Sequence, residues 1–173
     1  SIEGIEGAGK STQLTFIADY LRDKGIDVLV TREPGGTELG EQIRELLLTP
    51  RDEKMVDDAE LLLMFAARVQ HIQQKVLPAL KNGQWAVSDR FIDATFAYQG
   101  GGRELNLDWI QQLESLVHDS VQPDLTLLLD APVEVGRERA SKRSAADRIE
   151  AEDLAFFNRV RDMFLLRAEK YDR

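Results

Sequence analysis

Residues Gly4-Ile5-Glu6-Gly7-Ala8-Gly9-Lys10-Ser11 follow the pattern G-x-x-x-x-G-K-[ST], and an amphipathic run begins at once, with Leu14, Ile17, Ala18 and Leu21 at 3–4–7 spacing. Each part of that pattern has a physical job. The glycines let the backbone turn tightly and aim successive N–H groups at one spot. The helix that follows adds the positive end of its dipole to the same spot. Lys10 is placed to reach the β/γ-phosphates of a nucleotide, and the Ser11 hydroxyl to ligate Mg²⁺. A chance glycine-rich turn is the competing reading. All four signature positions, the apolar stub at Ile2 and the helix argue against it. The expected nucleotide-phosphate site is therefore Gly4, Ile5, Glu6, Gly7, Ala8, Gly9, Lys10, Ser11 and Thr12.

The rest of the chain alternates strand and helix. Val28-Leu29-Val30, Trp85-Ala86-Val87-Ser88 and Leu125-Thr126-Leu127-Leu128-Leu129 read as apolar strands. Helices are expected over about 11–24, through Leu39, Ile43, Leu46 and Leu47, and from about 57 to 80. The last of these is capped by Asp57 or Asp58 and buries Leu62, Phe65, Ala66, Val69, Ile72 and Val76. A further helix starts near Ile92 and yields to Gly100-Gly101-Gly102. Asn106 caps the next, one follows to about Lys142, and the last starts near Ala151. This order predicts an α/β fold, a doubly wound parallel sheet flanked by helices. Ligands of such sheets bind at the carboxyl ends of the strands.

At 173 residues the chain makes one domain with a short lid at about 139–152. Only three residues precede the loop and the chain stops directly after a helical pattern. The expectation is that a few N-terminal residues and a C-terminal strand and helix lie outside it. The net charge of −9 argues against a nucleic-acid surface. No apolar run approaches the ~20 residues of a membrane span, no signal peptide is legible, and cysteine is absent. A cytoplasmic protein without disulfides is expected.

Two strands end in aspartate. Asp89 is followed by Arg90, a metal carboxylate beside an anion clamp. Asp130 is followed by Ala131-Pro132 and a helix, which suits a structural role at the start of that helix. Arg32 and Glu33 stand at another strand end, where an arginine can hold a second phosphate or simply serve a tight Pro34-Gly35-Gly36 connection. Thr95 and Tyr98 share a helical face after Arg90, as do Phe65 and Arg68 on the long helix. Base or sugar contacts and ordinary core packing remain alternative readings for both pairs. Arg137, Arg139, Lys142, Arg143 and Arg148 form a basic stretch, either a solvated face or a lid over a transferring phosphoryl group. His71 and His118 lack partners at metal spacing and read as surface or helix-face residues.

Together these segments resemble the thymidylate kinase family. The resemblance rests on Ile2 to Ser11, Arg32-Glu33-Pro34-Gly35-Gly36-Thr37, the Phe65 to Gln70 helix, Asp89-Arg90 through Tyr98-Gln99-Gly100, and Asp147-Arg148-Ile149-Glu150. It implies a P-loop nucleoside-monophosphate kinase that phosphorylates dTMP with Mg²⁺-ATP and pairs as a homodimer through helices. It further implies that Phe65 stacks on thymine, Arg68 bonds its O4, Thr95 and Gln99 contact the substrate, and Tyr98 lies under the deoxyribose. Arg90 clamps the dTMP phosphate together with Arg32, and Glu6 approaches the sugar 3′-hydroxyl or the metal. The metal shell is Ser11, Asp89 and Glu150, and the catalytic lid arginine is Arg143 or Arg139, with Arg148 as a further lid contact. Phe91 stands where the family commonly has tyrosine or histidine.

Two rivals remain on sequence. A kinase for another monophosphate, or for a deoxynucleoside with Glu33 as general base, shares most of these motifs. A regulatory nucleotide switch would want Asp-x-x-Gly and Asn-Lys-x-Asp, and neither occurs.

Overall fold

The computed structural model describes residues 1–118, 121–142 and 146–173, His118 by its backbone alone. Four parallel strands form one sheet: β1 (Ile2–Glu3), β2 (Val28–Arg32), β3 (Trp85–Asp89) and β4 (Leu127–Leu128), in the order β2-β3-β1-β4. β2 and β3 pair from Val28↔Trp85 to Arg32↔Asp89, and Ile2 lies beside both Asp89 and Leu127. The register thus brings Glu3, Arg32 and Asp89 to one carboxyl edge. From β1 the chain crosses past β3 to β2, returns to β3, then jumps to the far side of β1. That reversal leaves a crevice above β1.

The helices are α1 (Lys10–Asp23), α2 (Glu38–Leu48), α3 (Asp57–His71), α4 (Leu77–Lys81), α5 (Ile92–Thr95), α6 (Leu107–His118), α7 (Val133–Ser141) and α8 (Leu154–Lys170). π-helical turns at Ile72–Val76 and Phe96–Gly102 extend α3 and α5. Thr37 caps α2 by accepting from the Gly40 N–H (3.0 Å), and Asp153 caps α8 by accepting from Phe156 N–H (2.7 Å). α1 starts at Gly9 with no side-chain cap. Its first N–H groups therefore face the crevice without a side-chain acceptor.

The structure corrects several expectations. On α3 the buried face is Leu61, Met64, Phe65, Ala67, Arg68 and His71, whereas Leu62, Ala66 and Val69 are exposed. His71, read as a surface or helix-face residue, lies on the buried face of α3, fully enclosed. Neither Asp57 nor Asp58 caps α3; Val56 holds that position and both aspartates lie in the first turn, where they still suit the dipole. Gly100-Gly101-Gly102 forms the last stretch of the π turn, so the helical segment from Ile92 ends at these glycines rather than before them. A Cβ on Gly102 would lie 2.5 Å from Phe156 Cε2, so these glycines let α8 pack closely on that turn. β4 is an edge strand of two residues, and Leu125 and Leu127 keep exposed surface. Asp130 does not cap α7, whose N-cap is Pro132; its structural role is to pair with Arg161 of α8 through two bonds of 2.6 and 2.7 Å.

Candidate active site

A cleft of about 420 Å³ opens at the carboxyl edge of the sheet. Its floor is the loop before α1 (Glu6, Gly7, Gly9, Lys10, Ser11, Thr12). Its walls are Arg32 and Glu33 after β2, Asp89 and Arg90 after β3, Arg44 of α2, Arg139 of α7, and Asp147 and Glu150 before α8.

Gly4 has φ 136°, and a side chain there would collide with the Leu129 carbonyl. Only glycine permits that bend beside β4. Ile5 turns its side chain into the core, so it offers the cleft main chain alone. Lys10 folds back on the Gly4 and Ile5 carbonyls at 3.0 and 2.9 Å. Burial, aided by Arg90, lowers its pKa to about 8. Its partners are neutral, so phosphate oxygens would replace them with a charged acceptor.

Arg90 sits in the left-handed region (φ 71°). Three contacts hold it there: its N–H donates to Ile2 O (3.0 Å), Ser88 Oγ donates to its carbonyl (2.7 Å), and the Phe91 N–H donates to Glu3 Oε1 (2.7 Å). The guanidinium then donates to Gly4 O (2.9 Å), Glu6 Oε1 (2.7 Å) and Tyr98 Oη (2.9 Å), and lies 4.7 Å from the Tyr98 ring centre. Tyr98 Oη donates to Glu6 Oε2 at 2.7 Å. Burial alone would raise the Glu6 pKa, but Arg90, Lys10 and the Tyr98 hydroxyl hold it below the ordinary value. Glu6 is therefore held as a carboxylate, and its charge orients the Arg90 guanidinium.

Behind Arg90 lies a second, fully buried polar group. Arg68 Nε donates to Glu33 Oε2 (2.7 Å) and Nη2 to Phe91 O (3.0 Å). His71 Nδ1 is 2.8 Å from Glu33 Oε1 and its Nε2 is 2.6 Å from Thr31 Oγ1. With Glu33 as acceptor, the neutral Nδ1–H tautomer satisfies every partner, the threonine hydroxyl donating to Nε2. Burial opposes ionisation of Glu33, yet Arg68 and His71 hold its pKa below the ordinary value. A carboxylate so engaged is a poor general base, which removes the basis of the deoxynucleoside-kinase rival.

Three buried polar atoms have no hydrogen-bond partner among the described residues: Arg68 Nη1 of this group, and Thr95 Oγ1 and Gln99 Oε1 of the helical segment after β3. Asp89 Oδ1, at the cleft, is a fourth. Each such atom costs roughly 1–3 kcal/mol, so a native fold keeps them for a reason.

The remaining sequence candidates fall out unevenly. Phe65 belongs to a core cluster with Leu61, Phe91 and Phe96, and the Arg68 guanidinium lies 5.2 Å from its ring. Arg32 is half exposed and paired with Glu41 at 2.7 Å. Arg139 reaches toward Gly7 O (3.4 Å). Arg148 does not line the cleft; it donates to Leu47 O and pairs with buried Glu60, both at 2.7 Å. Glu150 does line it, in a turn held by Asp147. Arg143, in the expected lid, lies outside the described residues.

Sequence reasoning missed Arg44 and Asp147 as wall residues, and Glu60 as a buried hub. Arg44 donates to Pro34 O (3.0 Å), and burial, then Arg32, lowers its pKa. On an amphipathic helix an arginine reads as solvent face, so no local signal marked it.

Phe65, Arg68, Thr95, Tyr98 and Gln99 do not line this cleft; they lie buried behind it. A phosphate-binding loop after β1 and an Asp-Arg pair at the end of β3, both opening on one cleft of a parallel sheet, define a P-loop nucleoside-monophosphate kinase. Comparison with known proteins narrows the class. The thymidylate kinase family model matches residues 2–173. The thymidylate kinase of Alcanivorax borkumensis is 58% identical over 168 residues, covering 97% of this chain and 81% of the relative. That of Teredinibacter turnerae is 56% identical over 170 residues, covering 98% and 83%. The crystal structure of thymidylate kinase from Ehrlichia chaffeensis superposes with a TM-score of 0.80 at 37% identity, covering 98% of this chain and 85% of that one. The chain belongs to the thymidylate kinase family, whose reaction is ATP-dependent phosphorylation of dTMP to dTDP.

Proposed function

We propose that the chain carries out its family's reaction in this cleft, passing the γ-phosphoryl group of ATP to the phosphate of dTMP. The observation that carries this reading is the pair of cations at the cleft, Lys10 of the loop and Arg90 after β3, which both donate to the Gly4 carbonyl at 3.0 and 2.9 Å; it is supported by the buried unpartnered atoms of Arg68, Thr95 and Gln99 among the described residues. A nucleotide switch has no use for the second cation.

Residues Gly4 to Thr12 cradle the ATP phosphates, Ile5 by main chain only. Arg90, oriented by Glu6 and Tyr98, holds the acceptor phosphate, with Arg32 and Arg44 as further cations. Arg68 Nη1 donates to the base O4, and Thr95 and Gln99 meet its N3 edge. Phe65 stacks on thymine beside Arg68, and Tyr98 lies against the deoxyribose. The segment at about 139–152 acts as a lid whose Arg139 or Arg143 reaches the transferring group. The phosphate oxygen of dTMP is already anionic and needs no base. Catalysis is then in-line positioning, charge neutralisation and exclusion of water.

Mg²⁺ fits these residues. Asp89 Oδ1 is a buried acceptor without a partner among the described residues, and Ser11 and Glu150 line the same cleft. No group of three or more His, Cys, Asp or Glu that could hold a metal occurs among the described residues. That suits an ion which keeps mostly water and phosphate oxygens as ligands. When bound, it neutralises phosphate charge.

Exposed Leu39, Leu46, Leu62 and Val69 on α2 and α3 support pairing of two copies through these helices. Among the described residues no helix is long and apolar enough to cross a membrane. A cytoplasmic enzyme without a nucleic-acid partner is in keeping with the acidic balance.

The test is Arg90→Ala. dTMP-dependent ADP release should fall ~10³-fold or more, while ATP affinity stays within a few-fold. Near-normal kcat would overturn the phosphate-clamp role.

A further inference from the structure

Glu60 of α3 is fully buried, and three side chains converge on its carboxylate. Gln99 Nε2 donates to Oε1 at 2.7 Å. Arg103 approaches with Nε at 3.3 Å and Nη2 at 3.2 Å, and Arg148 Nη2 lies 2.7 Å from Oε2. Burial opposes its ionisation, but the Gln99 amide and the two guanidiniums outweigh that and keep the carboxyl ionised.

An ionised carboxylate only accepts hydrogen bonds. Gln99 must therefore turn its NH₂ toward Glu60, and its Oε1 is left on the other side of the amide. That oxygen is buried and has no partner among the described residues. The amide orientation is not a free choice; the partner's chemistry fixes it. Arg68 has a matching history. Glu33 and the Phe91 carbonyl occupy Nε and Nη2, and Nη1 alone is left as a buried donor.

A donor and an acceptor held this way suit one pyrimidine edge and not another. Thymine and uracil present an O4 acceptor beside an N3–H donor. Cytosine presents an N4 amino donor beside an N3 acceptor, the inverse pattern. We propose that Glu60 is a specificity-determining positioning residue: by accepting only, it fixes Gln99 as a base-edge acceptor and so selects an N3–H pyrimidine over cytosine. This inference rests on the reading that Gln99 faces the base. Glu60 itself touches no substrate.

The test compares kcat and KM for dTMP and dCMP in the wild type, Glu60→Gln, Glu60→Asp and Gln99→Leu. In Glu60→Gln a neutral amide can donate or accept, and Gln99 is free to turn over. The dTMP/dCMP ratio of kcat/KM should fall ~10-fold or more. Glu60→Asp keeps an acceptor-only partner and should retain most of the ratio. Gln99→Leu should lose it. A merely structural role would depress both substrates alike and leave the ratio unchanged in Glu60→Gln; that result, with the ratio lost in Gln99→Leu, overturns the inference and spares the Gln99 contact. An unchanged ratio in Gln99→Leu overturns that contact and the inference with it. Should Glu60→Gln fail to fold, Glu60→Gln/Arg148→Gln removes a cation along with the charge and carries the same readout.

Discussion

Replacing Arg68 by methionine should expose how much of the site is held by buried charge. The guanidinium is about 1% exposed, and its partner Glu33 is as deeply buried. Methionine keeps a similar apolar stem between Phe65 and Phe91 but leaves the Glu33 carboxylate with the His71 N–H alone. Breaking a buried pair from one side costs about 3–5 kcal/mol. For a domain of this size that is a drop in Tm of roughly 6–20 °C. Glu33→Gln in the same background removes the orphaned charge, so the double variant should recover about 2 kcal/mol relative to additivity. Urea unfolding followed by far-UV circular dichroism gives all four corners of the cycle. Glu33 has a folded pKa below its unfolded value near 4.5. Its stabilisation is therefore present above pH 4.5 and lost as pH falls through the lower folded value, and the deficit of Arg68→Met should shrink in acid. A cost under about 1 kcal/mol at pH 7, or strict additivity in the cycle, would refute the reasoning.

Lys10 has a pKa near 8 without nucleotide, and a polyphosphate beside it would raise that value. ATP binding near pH 8 should then take up protons, and the KM for ATP should rise above pH 8 as the cationic form is lost. Calorimetry in two buffers of different ionisation enthalpy reads this directly, and identical heats would contradict it. Tyr98→Phe keeps the ring against Phe156 and Phe164 but deletes the hydroxyl shared by Glu6 and Arg90. kcat/KM for dTMP should fall ~10–100-fold, the equivalent of one charge-assisted bond, and discrimination against the ribose analogue should narrow. Unchanged kinetics on both substrates would make Tyr98 a core residue only.

Much of the frame was legible because glycines, strand-end charges and caps are local signals. The loop at Gly4–Ser11, the capping side chain of Asn106 (2.8 Å from the Asp108 N–H) and the stop at Gly25 (φ 78°) follow from single residues and their backbone needs. The buried face of α3 was not legible. Periodicity assigns apolar residues inward, yet Glu60, Arg68 and His71 occupy the core while Leu62 and Val69 face out. Polar residues can be buried only when partners meet them, and those partners are Thr31 of β2, Glu33 just after it, the Phe91 carbonyl after β3, Gln99 of the π turn, Arg103 and Arg148, far away in sequence. Arg148 likewise read as a lid contact, because nothing near it in the sequence announces Glu60. The glycines at 100–102 read only as a stop because close approach of α8 is a tertiary fact.

The most direct test of the central claim is ADP release under Mg²⁺-ATP with dTMP, dUMP, dCMP, dGMP, AMP and thymidine offered separately. The site's polarity predicts turnover of dTMP and dUMP, which share one hydrogen-bonding edge, and little with dCMP, the purine monophosphates or thymidine. Equal turnover of dCMP and dTMP would contradict the base-reading role of Arg68 and Gln99, and turnover of thymidine would contradict the account of Arg90 as the clamp on an acceptor phosphate.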